Sequence, residues 1–177
     1  MLMRDMVMQE VNDEGGSFDW DEPLSETYVL KWKSFFCELY ELQSLTFSRC
    51  LCPSGVVGKP VLVMFSDGSK NAYGTCAYIR WELECGKYEC RLLIAKNRIA
   101  PKRQLSVPRL ELCGAVLSSR LRTVIEQELD FDFDFVIHIV DSAIVRAQIQ
   151  KESYGFGTFV ATRVAEIQSM TDPNEWW

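Results

Sequence analysis

Two short apolar runs in this sequence each end at an aspartate. The run "VLVMFS" spans residues 61 to 66 and stops at Asp67, and "FVIHIV" spans residues 135 to 140 and stops at Asp141. Both runs have the length of a strand, and the second suits a strand that is buried on both faces. The rest of the chain has to fold around these two strands.

The segments between the two runs predict how the strands are connected. Residues 72–81 and 88–95 are typical of a hairpin that turns at "ECGKYE", and residues 108–128 of a long helix that opens with Pro108. Two shorter helices are predicted at about 142–150 and 157–170. This order predicts an α/β fold with a mixed sheet, in which a three-stranded antiparallel meander is followed by a crossover helix and a strand parallel to the first.

The predicted fold brings three acidic residues to one edge of the sheet. Asp67 and Asp141 follow the two parallel strands, and Glu111 lies in the first turn of the crossover helix. Clustered carboxylates repel one another unless divalent cations neutralise them, and Mg²⁺ prefers oxygen ligands. Two such ions about 4 Å apart would activate a water and stabilise the leaving oxygen of a phosphodiester. The alternative is that Asp67 belongs to a turn and that the other two acids interact with helix N-termini.

The chain is predicted to divide into three parts. Residues 1–17 form an acidic and flexible N-terminus, and residues 18–57 a helical segment, entered through Pro23 and Ser25, with a Gly- and Pro-rich linker. Residues 58–177 form the α/β domain.

The charge of the chain is unevenly distributed. The net charge of −6 argues against binding nucleic acid over the whole surface, but residues 96–109 hold five bases and no acid: Lys96, Arg98, Lys102, Arg103 and Arg109. A local basic face of this kind can bind phosphates. The alternative is a solvated loop.

The seven cysteines indicate an intracellular protein, cytoplasmic or nuclear. No secretory signal opens the chain, and no uncharged apolar run approaches the roughly 20 residues of a membrane span. The cysteines are therefore expected to be reduced thiols, with no spacing typical of a zinc site. The single histidine, His138, is predicted to be a core residue with its hydrogen bonds satisfied.

Several motifs together resemble the ribonuclease H-like segment of BEL/Pao retrotransposon polyproteins. They are "FSDGSKNAYGTCAYIR", "IAKNRIAPKRQLSVPRLELCGAVLSSRL", "VDSAIV" and "FVATRVAEIQ". Upstream, "WDEPL", "ELQSL" and "FSRC" resemble the connection from reverse transcriptase to that segment. The resemblance covers roughly residues 18 to 177.

The resemblance implies an RNase H-like fold and a metal-dependent nuclease that cuts the RNA strand of RNA–DNA hybrids. Asp67, Glu111 and Asp141 match the family's metal-binding catalytic acids, which would hold two Mg²⁺ or Mn²⁺ ions. The implied partners are a hybrid or other nucleic acid and the rest of a retroelement polyprotein. The predicted nucleic-acid contacts are Ser69 and the five bases of residues 96–109.

Two related activities fit the sequence less well. Retroviral-type integrases share the fold, but their acids run Asp, Asp, Glu, whereas the order here is Asp, Glu, Asp. An aspartic peptidase requires D-[ST]-G, and this chain has D-G-S at Asp67.

The C-terminal end departs from the family pattern. The family continues with a fifth strand and a last helix that carries a fourth aspartate, whereas this chain ends at "DPNEWW" and has Thr162 where the family has Asn. The fold is therefore expected to be C-terminally incomplete, with strand 135–140 as an edge that the tail or a partner covers. Trp176 and Trp177 are predicted to pack as the stub of the missing strand, and Glu166 is a candidate substitute for the missing acid.

The missing carboxylate predicts weak or no cleavage by these 177 residues. The alternatives to a nuclease are therefore a non-catalytic domain that binds nucleic acid or protein, and an inactive fragment of an element.

Overall fold

The computed structural model describes residues 23, 25–101 and 105–177. The chain forms two compact units, Met1–Arg49 and Cys50–Trp177. In the first unit, helix α1 (Glu26–Glu41) begins after Ser25, as predicted, and a single 3-10 turn, Leu42–Ser44, follows it. None of the α1 residues is buried.

The second unit is a four-stranded mixed sheet with helices, as the sequence predicts. Its strands are β1 (Val56–Gly68), β2 (Ala72–Leu83), β3 (Tyr88–Ile99) and β4 (Val136–Val140), and its helices are α2 (Val107–Glu128), α3 (Ala143–Ile149) and α4 (Thr158–Met170). The strand order is β3-β2-β1-β4, with antiparallel β1–β2 and β2–β3 pairs and a parallel β1–β4 pair. Within the described residues, no helix is long and apolar enough to cross a membrane.

Strands β1 and β3 extend beyond their predicted ends. β1 begins at Val56, so the predicted domain boundary at residue 57 falls inside it. The segment before it is bound to the β2–β3 hairpin, since the Trp81 indole donates to the Leu51 carbonyl at 2.8 Å and the Glu84 N–H donates to the Gly55 carbonyl at 2.9 Å. β3 continues to Ile99, so the first part of the basic segment is strand.

Helix α2 holds the two parts of the core together. One cluster lies between the sheet and α2: Leu62, Met64, Ala77, Leu121, Ile125 and Val136. The other lies between α2, α3 and α4: Leu112, Ala115, Val116, Val145, Ile149, Val164, Ile167 and Trp176. Because α2 has buried residues in both clusters, its position relative to the end of β1 is fixed from two sides.

The C-terminal tail pairs with the outer edge of β4. The Trp177 N–H donates to the His138 carbonyl at 2.9 Å, and the Val140 N–H donates to the Trp177 carbonyl at 3.0 Å. The Trp176 side chain is only 1% exposed and stacks on the His138 ring, with centroids 4.3 Å apart. The prediction that the two tryptophans pack as a strand stub is confirmed for the Trp176 side chain, whereas the Trp177 side chain is exposed and this residue pairs with β4 at His138 and Val140 through its backbone.

His138 is a core residue, but only half of its ring is hydrogen-bonded. Its Nδ1 lies 2.9 Å from the Ser118 hydroxyl, whereas Nε2 is buried and has no hydrogen-bond partner among the described residues. Burial, helped by the charge of Arg122, lowers the pKa of His138 to about 3.

The depressed pKa of His138 predicts a loss of stability in mild acid. In the unfolded chain the pKa of histidine is about 6.5, so below that pH the unfolded state binds a proton that the folded state excludes. Stability is therefore full above about pH 6.5 and falls as the pH drops toward 3. Between pH 7 and pH 5 the free energy of unfolding should fall by about 2 kcal/mol more in the wild type than in His138→Asn. Urea unfolding of both proteins at each pH measures this difference, and a difference that does not change with pH would contradict the prediction.

Candidate functional site

Asp67 and Asp141 lie at neighbouring strand ends. The parallel register of β1 and β4 runs from Leu62 opposite Val136 to Ser66 opposite Val140. One further step in the same register brings Asp67 level with Asp141. Neighbouring strands are about 4.8 Å apart, and both aspartates are exposed. The two carboxylates therefore share one solvent-facing edge of the sheet.

Glu111 is brought to the same edge because two glycines let α2 approach β1 closely. A Cβ atom at Gly68 would lie 2.4 Å from the Glu111 nitrogen and 2.8 Å from the Glu111 Cα. A Cβ atom at Gly114 would lie 2.8 Å from the Asp67 carbonyl oxygen. Neither position tolerates a side chain without a backbone shift, so the first turns of α2 lie directly against the residue that follows Asp67.

The three acidic residues come from elements that meet at one edge, but within the described residues their side chains do not form a closed metal site. Asp67 Oδ1 accepts a hydrogen bond from the Gly68 N–H at 2.5 Å, and the Glu111 side chain is half-buried. Across residues 23, 25–101 and 105–177, no three His, Cys, Asp or Glu side chains are grouped closely enough to hold a metal ion. The donor chemistry fits a hard cation, because all three side chains offer carboxylate oxygens. Their role as a joint metal site stays a prediction.

Glu166 does not join these acids. Its carboxylate oxygen accepts from Arg120 Nε at 2.6 Å, and this hydrogen bond raises the pKa of Arg120. Arg120 lies nine residues after Glu111 on α2, which is about 13.5 Å along the helix axis. The ion pair with Arg120 therefore holds the Glu166 carboxylate away from the three acids. Thr162 donates its hydroxyl to the Thr158 carbonyl within α4 at 2.8 Å.

Ser69 forms the turn between β1 and β2. Its hydroxyl donates to the Ala72 carbonyl at 3.1 Å and accepts from the Ala72 N–H at 3.2 Å and the Asn71 N–H at 3.4 Å. The structure thus gives the Ser69 side chain a structural role beside Asp67, and its predicted contact with nucleic acid stays a prediction.

The predicted basic face is only partly described. Lys96 and Arg98 are exposed on β3, and Arg109 is exposed in the first turn of α2 with its guanidinium 4.9 Å from the Phe159 ring centroid. Lys102 and Arg103 lie outside the described residues.

The structure adds two arginines that the sequence analysis missed. Arg120 and Arg163 line a pocket together with Arg98, because α2 and α4 pack side by side next to the end of β3. The Arg163 guanidinium lies 3.5 Å from the Phe159 ring centroid and donates to the Phe159 carbonyl at 3.0 Å. No local pattern in the sequence marks these residues, because the packing of two helices brings them together.

Comparisons with solved structures give similarities of low score. The N-terminal RNase H domain of Rv2228c from Mycobacterium tuberculosis is 11% identical with a TM-score of 0.42, and the match covers 67% of this chain and 78% of that one. The RNase H domain of PFV is 15% identical with a TM-score of 0.41, covering 66% and 76%. LC11-RNase H1 in complex with an RNA/DNA hybrid is 14% identical with a TM-score of 0.39, covering 62% and 75%.

The family assignment rests on the sequence-family comparison. No curated protein matches the chain. The family model of the Pao retrotransposon-like RNaseH-like domain matches residues 1–142, which include Asp67, Glu111 and Asp141. The observed mixed sheet, with its crossover helix, agrees with the fold that the resemblance implies. The chain belongs to the family of Pao retrotransposon-like RNaseH-like domains.

Proposed function

We propose that this domain binds RNA–DNA hybrids and cuts their RNA strand with divalent cations, Mg²⁺ or Mn²⁺, held by Asp67, Glu111 and Asp141. The observation that carries the proposal is the meeting of three elements at one edge. Asp67 and Asp141 directly follow Ser66 and Val140, the last pair of the parallel register, and the Glu111 backbone packs against Gly68. Membership of an RNase H-like family supports the same reaction.

Each acid has a distinct part in the proposed site. Asp67 is the central ligand, because β1 lies between β2 and β4 and the Gly68 N–H fixes one of its carboxylate oxygens. Glu111 and Asp141 flank it from α2 and from the end of β4. When bound, divalent cations activate the attacking water and stabilise the leaving oxygen. The solvent exposure of both aspartates leaves the edge open to a polymeric substrate.

The substrate class follows from the charges beside the acids. Lys96, Arg98 and Arg109 provide exposed positive charge on β3 and at the start of α2. Hybrid duplexes are recognised through the backbone and its shape, which such residues contact.

The proposed location is a reducing compartment, cytoplasmic or nuclear, and the free thiols of Cys76, Cys85 and Cys113 support it. The proposed protein partner is the rest of a retroelement polyprotein.

A single-turnover cleavage assay tests the proposal. The protein in excess is mixed with a hybrid whose RNA strand is labelled, in Mg²⁺, in Mn²⁺ or in EDTA. We expect slow cutting of the RNA strand that requires the metal, and no cutting of free RNA or of duplex DNA. The rate should be low because, in the described residues, no three acidic, cysteine or histidine side chains are grouped closely enough to hold a metal ion. Tight hybrid binding without cutting in either metal would contradict the nuclease proposal.

A non-catalytic nucleic-acid-binding domain is the second candidate. It is favoured by one observation, which is that no three acidic, cysteine or histidine side chains in the described residues are grouped for metal binding. The same assay separates the two candidates, because only the nuclease produces metal-dependent products.

The basic segment after β3 should contribute to hybrid binding. Reversing two charges, Lys102→Glu with Arg103→Glu, removes two predicted phosphate contacts, so the slope of log K against log salt should fall by about 2. Fluorescence anisotropy with a labelled hybrid measures the slope, and Lys87→Glu in the hairpin turn, which reverses one charge outside the segment, is the control. An unchanged affinity and slope would mean that the segment is an ordinary solvated loop.

A further inference from the structure

Helix α1 carries a wide apolar face that is open to solvent. The face is formed by six side chains that recur at intervals of three or four residues: Tyr28, Val29, Trp32, Phe35, Phe36 and Leu39. None of the α1 residues is buried, and Val29, Leu39 and Phe36 are 36%, 40% and 52% exposed. A helix of 16 residues is only marginally stable in water without packing against another element. We therefore expect a partner along this face.

Four of these side chains form a narrow seam along α1. Tyr28, Trp32, Phe35 and Leu39 are spaced by four, three and four residues. This alternation is the one by which a helix packs lengthwise against a second helix. The Trp32 and Phe35 rings already contact each other edge to face, with centroids 5.7 Å apart. The seam therefore suits another helix of similar length.

The seam is complementary to itself when two copies of α1 run antiparallel. When Tyr28 of one copy lies level with Leu39 of the other, Trp32 lies level with Phe35 of the second copy. In the same alignment the first residue of one α1 lies level with the last residue of the other. Two α1 helices thus overlap over their full length, about 24 Å.

The residues beside the seam favour the antiparallel direction. At 100° per residue, Lys31 and Glu38 lie on one flank of the seam, and Val29 and Phe36 lie on the other. In an antiparallel pair each flank meets the same flank of the second copy, so Lys31 meets Glu38 and Val29 meets Phe36, each twice. In a parallel pair each flank meets the opposite flank, which would place the Lys31 charge against the Phe36 ring. Charge complementarity therefore selects the antiparallel pair.

The area of this contact is sufficient for a specific but moderate association. Burial of an aromatic side chain removes about 150–250 Å² from water, and part of this area is already covered within α1. Six half-covered side chains then contribute roughly 500 Å² per helix, or about 1,000 Å² in total, which is the lower limit for a specific interface. We therefore expect a dissociation constant in the micromolar range.

We propose that α1 is a dimerisation element, through which two copies of this chain pair by antiparallel α1 helices, with Lys31 of each copy beside Glu38 of the other. The proposal goes beyond the proposed nuclease function and does not rest on it, because the residues that carry it all lie in α1. Its consequence is a particle that holds two copies of the Asp67 edge.

Substitutions on opposite sides of α1 test whether the seam forms the dimer. Sedimentation velocity of the 177-residue chain over a range of concentrations measures the dissociation constant, with a reducing agent present so that the exposed Cys37 cannot cross-link the copies. Leu39→Ser removes a seam residue that occurs twice in the dimer, so the constant should rise about 100-fold. Leu30→Ser is the matched control, because Leu30 is 59% exposed and lies on the opposite side of α1. It should change the constant by less than about threefold.

Charge reversal tests the direction of the pair. Lys31→Glu or Glu38→Lys places like charges at both flank contacts, so each should raise the dissociation constant about tenfold. The double variant restores opposite charges and should recover the wild-type constant. Glu38→Lys puts a positive charge in the last turn of α1, which stabilises a helix, so its weaker dimer would not come from a weaker helix. Lys33→Glu and Glu41→Lys make the same changes outside the seam and its flanks and are the controls.

A mixture of the two single variants gives an independent readout. Chains with Lys31→Glu should pair with chains with Glu38→Lys more tightly than either variant pairs with itself, because both flank contacts of the mixed dimer then join opposite charges.

Three results would overturn the proposal. The first is a wild-type chain that stays monomeric up to about 1 mM, and the second is an equal effect of Leu39→Ser and Leu30→Ser. The third is a double charge variant that fails to recover the dimer, since the pair would then not be antiparallel. The single-turnover cleavage assay keeps the two proposals apart: a dimer that cuts no hybrid contradicts only the nuclease, and a monomer that cuts the hybrid contradicts only the α1 pairing.

Discussion

Asp67→Asn is expected to lower the single-turnover rate of hybrid cleavage at least about 100-fold, because it removes the central ligand of the proposed metal site. That factor corresponds to about 3 kcal/mol of transition-state stabilisation. The substitution keeps the shape of the side chain and its exposure, and the amide oxygen can still accept from the Gly68 N–H. The free energy of unfolding should therefore change by less than about 0.5 kcal/mol. Gel quantification of the cut RNA strand measures the rate, and urea unfolding measures the stability.

The matched control is Asp130→Asn, which changes an exposed aspartate just beyond the end of α2. It removes the same charge at a position that lies outside the proposed site, so the cleavage rate should stay within about twofold of the wild type. Equal losses in the two variants would mean that the net charge of the domain, and not the position of Asp67, controls the rate.

Trp176→Ala is expected to lower the free energy of unfolding by about 3–5 kcal/mol, the usual cost of truncating a large buried aromatic residue. Trp176 is 1% exposed, belongs to the cluster between α2, α3 and α4, and donates its indole N–H to the Thr171 hydroxyl at 2.9 Å. Its removal also uncovers the buried ring of His138. Chemical denaturation at pH 7 measures the loss.

The neighbouring residue provides the control for this stability prediction. Trp177→Ala removes a side chain that is 60% exposed and leaves both backbone hydrogen bonds to β4 in place. Its cost should stay below about 1 kcal/mol. A similarly small cost for the two tryptophans would contradict the prediction and show that the tail stabilises the domain through backbone pairing alone.

The sequence predicts the elements of the fold because each carries a local signal. Alternating burial along β2 and the Pro-led start of α2 follow directly from residue patterns. The convergence of Asp67 with Asp141 is also predictable, since parallel strands end at one edge. The Gly68 and Gly114 contacts are visible in the sequence only as one glycine directly after Asp67 and another three residues after Glu111. Their structural role depends on the approach of α2.

Long-range packing accounts for what the sequence does not predict. The early start of β1 depends on hydrogen bonds from the hairpin to Leu51 and Gly55. The pocket lined by Arg98, Arg120 and Arg163 depends on residues from a strand and two helices that are separated along the chain. Neither feature has a sequence period or motif, because its residues become neighbours only when the sheet and helices are assembled.

A Mn²⁺ titration followed by NMR tests the central claim most directly, because the paramagnetic ion broadens the amide signals nearest to where it binds. The site proposed here predicts that the signals of Gly68, Glu111 and Ser142 broaden first in the wild type, and that Asp67→Asn abolishes this early broadening. Earlier broadening at the exposed acids Asp130, Asp132 and Asp134, with no difference between wild type and Asp67→Asn, would contradict the account.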